Sequence, residues 1–191
     1  MKKHMAAIVL ALLVAALAPC AAAQAKSAAA VRAETVMHLQ FTENRLTALA
    51  EAIPQEKFTW RPGEGVRSVS EVLLHVVIAN YSLPRFMGTN LPEGWSAQGF
   101  ERSTSDKAQV ISHLKKSFEH ARNAVQGMAD ADVSKATRLF GRDTTHAGVM
   151  IQMAAHAHEH LGQLIAYART NGIAPPWSAP PPAQPAKKSG N

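Results

Sequence analysis

The sequence predicts an all-α fold, a four-helix bundle, and three observations carry that prediction. Apolar residues recur at three- and four-residue intervals in four separate stretches, proline or glycine closes three of them, and none sustains the alternation of a strand. Each amphipathic helix must cover an apolar stripe, and a bundle gives every stripe a partner.

The first stretch runs from Ala29 to Ile53 through Val36, Leu39, Leu46, Leu49 and Ala50, and Pro54 stops it. The second opens on a capping box, "SVSE", with Ser68 as N-cap and Glu71 three residues on. It continues through Val72, Leu73, His75, Val76 and Ala79 to the neighbourhood of Ser82, ahead of Pro84. The third, Ser105 to Met128, carries Val110, Ile111, Leu114, Phe118, Ala121 and Val125 at helical spacing. The fourth begins at a cap on Thr144 or Thr145 and ends at Gly172, a glycine suited to the C′ position. Two long links, "PQEKFTWRPGEGVR" and Pro84 to Thr104, suit a bundle that is not simply up and down.

The two ends of the chain fall outside this domain, which spans residues 30–174. Two lysines, Lys2 and Lys3, precede fourteen apolar residues from Met5 to Ala18, and Pro19 then leads into small residues. This is the order of a secretory signal, assigned to residues 1–25 and predicting a secreted or periplasmic protein. Fourteen residues make about 21 Å of helix, short of a hydrocarbon core of about 30 Å, so no stable membrane anchor is expected. The context "LAPC" around Cys20, the lone cysteine, fits lipidation badly because proline precedes it. Without Cys20 the mature chain has no thiolate, and any metal must be held by histidine or carboxylate. Residues 175–191, "PPWSAPPPAQPAKKSGN", are proline-rich and read as a disordered tail. The formal net charge is +6, of which Lys2 and Lys3 supply two, leaving +4. No basic run is interleaved with aromatics, so nucleic acid is not an expected partner.

Eight histidines follow the signal: 38, 75, 113, 120, 146, 156, 158 and 160. In the fourth stretch the stripe Val149, Met153, His156, His160, Gln163, Leu164, Tyr167 keeps helical spacing, so two histidines four apart replace apolar residues. A buried imidazole without partners costs about 1–3 kcal/mol, whereas two at i and i+4 can clamp one divalent ion. Ordinary solvated or capped histidines are the competing reading. His75, inside "EVLLHVVIAN", reads as a core residue when taken alone. In a bundle it can face His156 and His160, and three imidazoles with an open position make a catalytic metal centre. His158 points away from the pair and is expected to be exposed. Glu159 lies nearer the ligand side, as an acceptor that orients a ring. His113 and His120 share a charged helix face and read as solvated, and His38 and His146 have no supporting spacing.

The stretches "FTWRPGEGVRSVSEVLLHVV" and "MAAHAHEHLGQLIAYARTNGIAPP" together resemble the DinB-like (YfiT-like) metalloenzyme family, over roughly residues 31 to 177. The resemblance implies an up-down-down-up four-helix bundle, commonly dimeric, with a divalent metal, zinc or nickel, on His75, His156 and His160. It implies close helix packing at Gly162 and a place near the metal for Gln163. Tyr167, with Glu159 and Gln163, is a further candidate for the pocket. Leu161 stands where the family usually has a basic residue. Characterised relatives include thiol-dependent transferases and a mycothiol-dependent maleylpyruvate isomerase. The function expected is therefore an exported metal-dependent enzyme that activates water or a thiol for hydrolysis or transfer on a small-molecule substrate. The alternatives are a non-catalytic periplasmic bundle that binds a metal or small molecule, and a purely structural bundle. Phe86, Trp95 and Phe100 in the second link either cap the core or line a pocket.

Overall fold

The computed structural model describes residues 2–178, with side chains from Ser27 to Ser178. The predicted signal, Cys20 included, lies outside the residues whose side chains are described. The tail from residue 179 onward lies outside the described residues altogether. Four helices make the bundle: α1 (Lys2–Ala52), α2 (Val69–Ser82), α3 (Lys107–Gln126) and α4 (His146–Thr170). Among the described residues no helix is long and apolar enough to cross a membrane.

Helices α1 and α2 each pack against both α3 and α4, which puts α1 and α2 at opposite corners. The first long link, from α1 to α2, is thus a diagonal crossover, whereas the second joins the neighbours α2 and α3. The core is one cluster in which Leu39, Leu46, Leu49 and Ile53 of α1 meet Leu73, Leu74 and Val77 of α2, Leu114 and Phe118 of α3, and Met153 and Leu164 of α4. Polar ties cross the seams as well. Arg122 pairs with Glu43 between α3 and α1, and buried Asn80 donates to Ser117 between α2 and α3 at 3.1 Å. Lys107 Nζ donates to the carbonyls of Glu51 and Ile53 at 2.7 and 2.8 Å, so a cation from α3 closes the negative end of α1.

The helix ends follow their local chemistry. Ser68 accepts from Glu71 N while Glu71 Oε2 accepts from Ser68 N at 2.8 Å, a complete capping box. Such a cap contributes about 1 kcal/mol and, more to the point here, pins the chain just ahead of His75. Thr145 caps α4, Asp106 caps α3, and Gly172 adopts φ 75° just beyond Asn171, the left-handed residue that ends a helix.

One element departs from the all-helical expectation. A two-stranded antiparallel hairpin, β1 (Ala136–Leu139) and β2 (Arg142–Thr145), precedes α4, with Ala136 paired to Thr145 and Leu139 to Arg142. Its two-residue turn places both Phe140 (φ 51°) and Gly141 (φ 80°) in the left-handed region, as a tight hairpin demands. Phenylalanine in that conformation is unusual, and four-residue strands are too short to show alternation. The start of the proline-rich tail is ordered too: Pro176–Ser178 form a 3-10 turn in which Arg45 of α1 lies 4.3 Å over the Trp177 ring. Trp95 and Phe100 cap the core: Trp95 packs on Tyr81 at 5.1 Å and Phe100 on His113 at 5.2 Å. Phe86 packs against the core beside the hairpin turn.

Candidate metal centre

Helix α2 brings His75 against the face of α4 that carries His156 and His160. The Nε2 atoms of His75 and His156 are 3.2 Å apart, and so are those of His156 and His160. One nitrogen from each of the three rings lies within 4.8 Å of the other two. Zinc–imidazole bonds of about 2.0–2.1 Å in tetrahedral geometry put ligand nitrogens roughly 3.3 Å apart, so the donor set has the spacing that one ion requires. At most one proton can sit between any two of these nitrogens, and a cation satisfies all three.

Burial supports the same reading. It pushes the His156 imidazole down to about 4, helped by the neighbouring His160, His75 and Arg67 charges. It also lowers His160, against the opposing hydrogen bond to Gln163. Both rings are therefore neutral near pH 7, the state in which a metal takes them. The sign for stability follows. Between about 6.5, the ordinary histidine value, and about 4, the unfolded chain takes up a proton at His156 that the folded chain refuses. The metal-free protein is expected to lose thermal stability as pH falls through that window, and His156→Gln to flatten the profile. Parent and variant melting curves that track each other from pH 7 to pH 4 would refute it.

The outward nitrogens are also held. His75 Nδ1 contacts Glu101 Oε1 at 2.5 Å, and Arg67 donates to both oxygens of that carboxylate, at 3.0 and 3.2 Å. Burial pushes the Glu101 carboxyl up, but Arg67 and His75 outweigh it and hold it below the ordinary range. His160 Nδ1 contacts Gln163 Oε1 at 2.8 Å, Gln163 Nε2 donates to Tyr167 at 2.9 Å, and the Tyr167 hydroxyl donates to the Arg67 carbonyl at 3.1 Å. Carboxylate and amide partners of this kind fix ring orientation and tautomer at metal sites.

The structure thus brings together His75, His156, His160, Gln163 and Tyr167. Glu159 is exposed and orients no ring by a hydrogen bond, and it reaches the site only through its charge, which opposes the lowering of His160. The carboxylate that orients a ring is instead Glu101, on the 3-10 turn Phe100–Arg102 of the second link. Spacing gives no hint of it, because the link has no period; only an acid in a loop long enough to cross the bundle marks it. Gly162 allows no close approach, being exposed with open space where a Cβ would stand. The close approach is at Gly148, where a Cβ would sit 2.1 Å from Thr144 Oγ1. His158 is half-buried rather than exposed, stacked on Phe41 and 5.3 Å from the His38 ring. His113 and His120 are half-buried as well, and burial lowers His120 beside Tyr81. His146, for which spacing suggests no role, is buried at the start of α4.

The DinB superfamily model matches residues 38–164, a span that contains all three histidines. The chain belongs to the DinB superfamily. Solved structures carry the same fold. A DinB-like protein from Bacillus cereus superposes with a TM-score of 0.64 at 15% identity, covering 74% of this chain and 93% of that one. A DinB-like protein from Bacillus subtilis gives 0.59 at 21% identity with the same coverage. No curated protein matches the chain. At these identities the likeness is one of fold, and the chemistry of this DinB-superfamily chain has to be argued from its own residues.

Proposed function

We propose that this chain is an exported DinB-superfamily metalloenzyme acting on a small molecule, with a divalent metal, zinc or nickel, on His75, His156 and His160. The observation that carries the reading is the convergence of three Nε2 atoms at 3.2 Å steps, with burial keeping the His156 and His160 rings neutral. Three protein ligands leave a tetrahedral or five-coordinate ion an open position, which distinguishes a working site from a closed structural one. When bound, the ion supplies Lewis-acid activation of water or a substrate thiol, for hydrolysis or group transfer.

The chain's own residues do the rest. Glu101 holds His75 by its Nδ1 and Gln163 holds His160, so that both rings present Nε2 to the same point. Arg67 and Arg102 flank the carboxylates Glu101 and Glu71. A cleft of about 340 Å³ is lined by Ile78, Ala97, Gly99, Glu101 and Arg102; none of the three histidines lines it, and Glu101, the partner of His75, is its link to the site. The signal-like leader supports export, and homodimer formation is the expectation that the family resemblance supplies.

The test is metal content of the mature protein, purified without a histidine tag or chelator, followed by turnover assays on panels of esters, amides and thiol acceptors. About one equivalent of zinc or nickel with turnover above the metal alone supports the reading. A chain that takes up no metal after reconstitution rejects it. Metal without turnover on any panel favours the non-catalytic metal-binding bundle instead.

A further inference from the structure

Two chains of hydrogen bonds leave the metal centre from different ligands on different helices, and both end on one residue. From His75 the path runs through Glu101 to the Arg67 guanidinium. From His160 it runs through Gln163 and Tyr167 to the Arg67 carbonyl. We propose that Arg67 is the positioning residue of this centre, its side chain aiming His75 through Glu101 and its main chain aiming His160 through Tyr167. The inference rests on the metal-binding reading above and adds what sets the ligand geometry.

The local structure makes Arg67 fit for the task. It directly precedes the N-cap Ser68, whose amide is held by Glu71 at 2.8 Å, and Val69 N donates to the Trp60 carbonyl at 3.1 Å. The backbone at 67 is therefore fixed from the C-terminal side. Trp60 also meets the Tyr167 ring edge-on at 5.4 Å, so the hydroxyl that reaches the Arg67 carbonyl is held from both ends. On the other path the guanidinium binds Glu101 with two donors, a planar fork that a lysine cannot reproduce. Glu101 lies 34 residues further along the chain, in the second link, so this fork also fastens that link to the metal face.

Electrostatics and positioning predict opposite signs. A guanidinium close enough to disfavour charge on His156 and His160 also repels a cation bound there. If Arg67 acted only through its charge, removing it would tighten metal binding. If it positions the rings, removing it lets Glu101 and then His75 wander, and binding weakens. Loss of an outer hydrogen-bond partner at such sites typically lowers affinity about 10- to 100-fold.

The experiment measures zinc affinity of the full mature chain by competition with a chromophoric chelator. It compares the parent, Arg67→Ala, Arg67→Lys, Glu101→Gln, Tyr167→Phe and the pairwise doubles, with melting of each metal-free chain as the folding control. Arg67→Ala and Glu101→Gln should each weaken binding about 10- to 100-fold. Their double should be no weaker than the worse single, since both cut one path. Arg67→Ala with Tyr167→Phe should be weaker than either single, since that pair cuts both paths. Arg67→Lys should stay well below the parent. Affinity in Arg67→Ala equal to or tighter than the parent's overturns the inference while leaving the metal reading intact. A parent that binds no zinc overturns both. If Arg67→Ala does not fold, Arg67→Lys and Glu101→Gln carry the same comparison, and parent-like affinity in both overturns it.

Discussion

Replacing His160 or His75 by alanine is expected to strip the protein of its metal, whereas replacing His158 is not. The two ligands lie 85 residues apart on different helices, and only the fold brings them together. Zinc bound by a full set of ligands in small folded domains is held by about 10–16 kcal/mol, so one ligand of three or four carries roughly 3 kcal/mol, a factor above 100 in affinity. Two remaining imidazoles would release the ion during dialysis. His158 makes a sharp control because it is the same residue type in the same helix turn, yet it faces Phe41 and His38 of α1. Metal analysis after dialysis reads the result directly. Equal metal in the parent and in both ligand variants would place the ion elsewhere.

Much of this centre is legible in the amino-acid sequence, and the reason is geometric. His156 and His160 are four apart, and helical periodicity alone puts them on one face. His75 is legible only as an imidazole in an apolar run, and its pairing with α4 comes with the bundle and the family resemblance. The capping box at Ser68, the Thr145 cap and the Gly172 helix end are readable because a cap is written within a few residues. Glu101 is not readable, since it reaches His75 from a link without period. His158 defeats the helical wheel for a different reason. Pointing away from the metal means pointing to solvent only if a helix has one neighbour, and α4 has both α1 and α2. The same wheel misplaces Glu159, because a carboxylate beside a ligand in sequence lies off its face in space. The hairpin escapes because its strands are four residues long and its turn carries phenylalanine where asparagine would have announced it.

The second large effect belongs to the core, and metal should partly reverse it. Phe118 is fully buried in α3, which packs against both α1 and α2 and supplies no ligand. Phe118→Ala removes a ring from a site walled by helices on two sides, and the expected cost is about 3–5 kcal/mol. Against a total stability of about 5–15 kcal/mol, that leaves a metal-free variant near its folding threshold, with a melting midpoint lowered by roughly 10 °C. The ion binds the assembled histidines and not the unfolded chain, so zinc at a thousandfold excess over its dissociation constant returns about 4 kcal/mol. Because Phe118 lies on a helix that supplies no ligand, the two effects should add, and zinc should raise the unfolding midpoints of parent and variant by similar free energies. Denaturant unfolding of both proteins with and without zinc supplies the four numbers. A much smaller zinc effect in Phe118→Ala would show that α3, through its packing on α2, holds His75 where the ion requires it, extending the metal centre's support from Arg67 and Glu101 into the core. Equal zinc effects would confine that support to the loops and helix ends around Arg67.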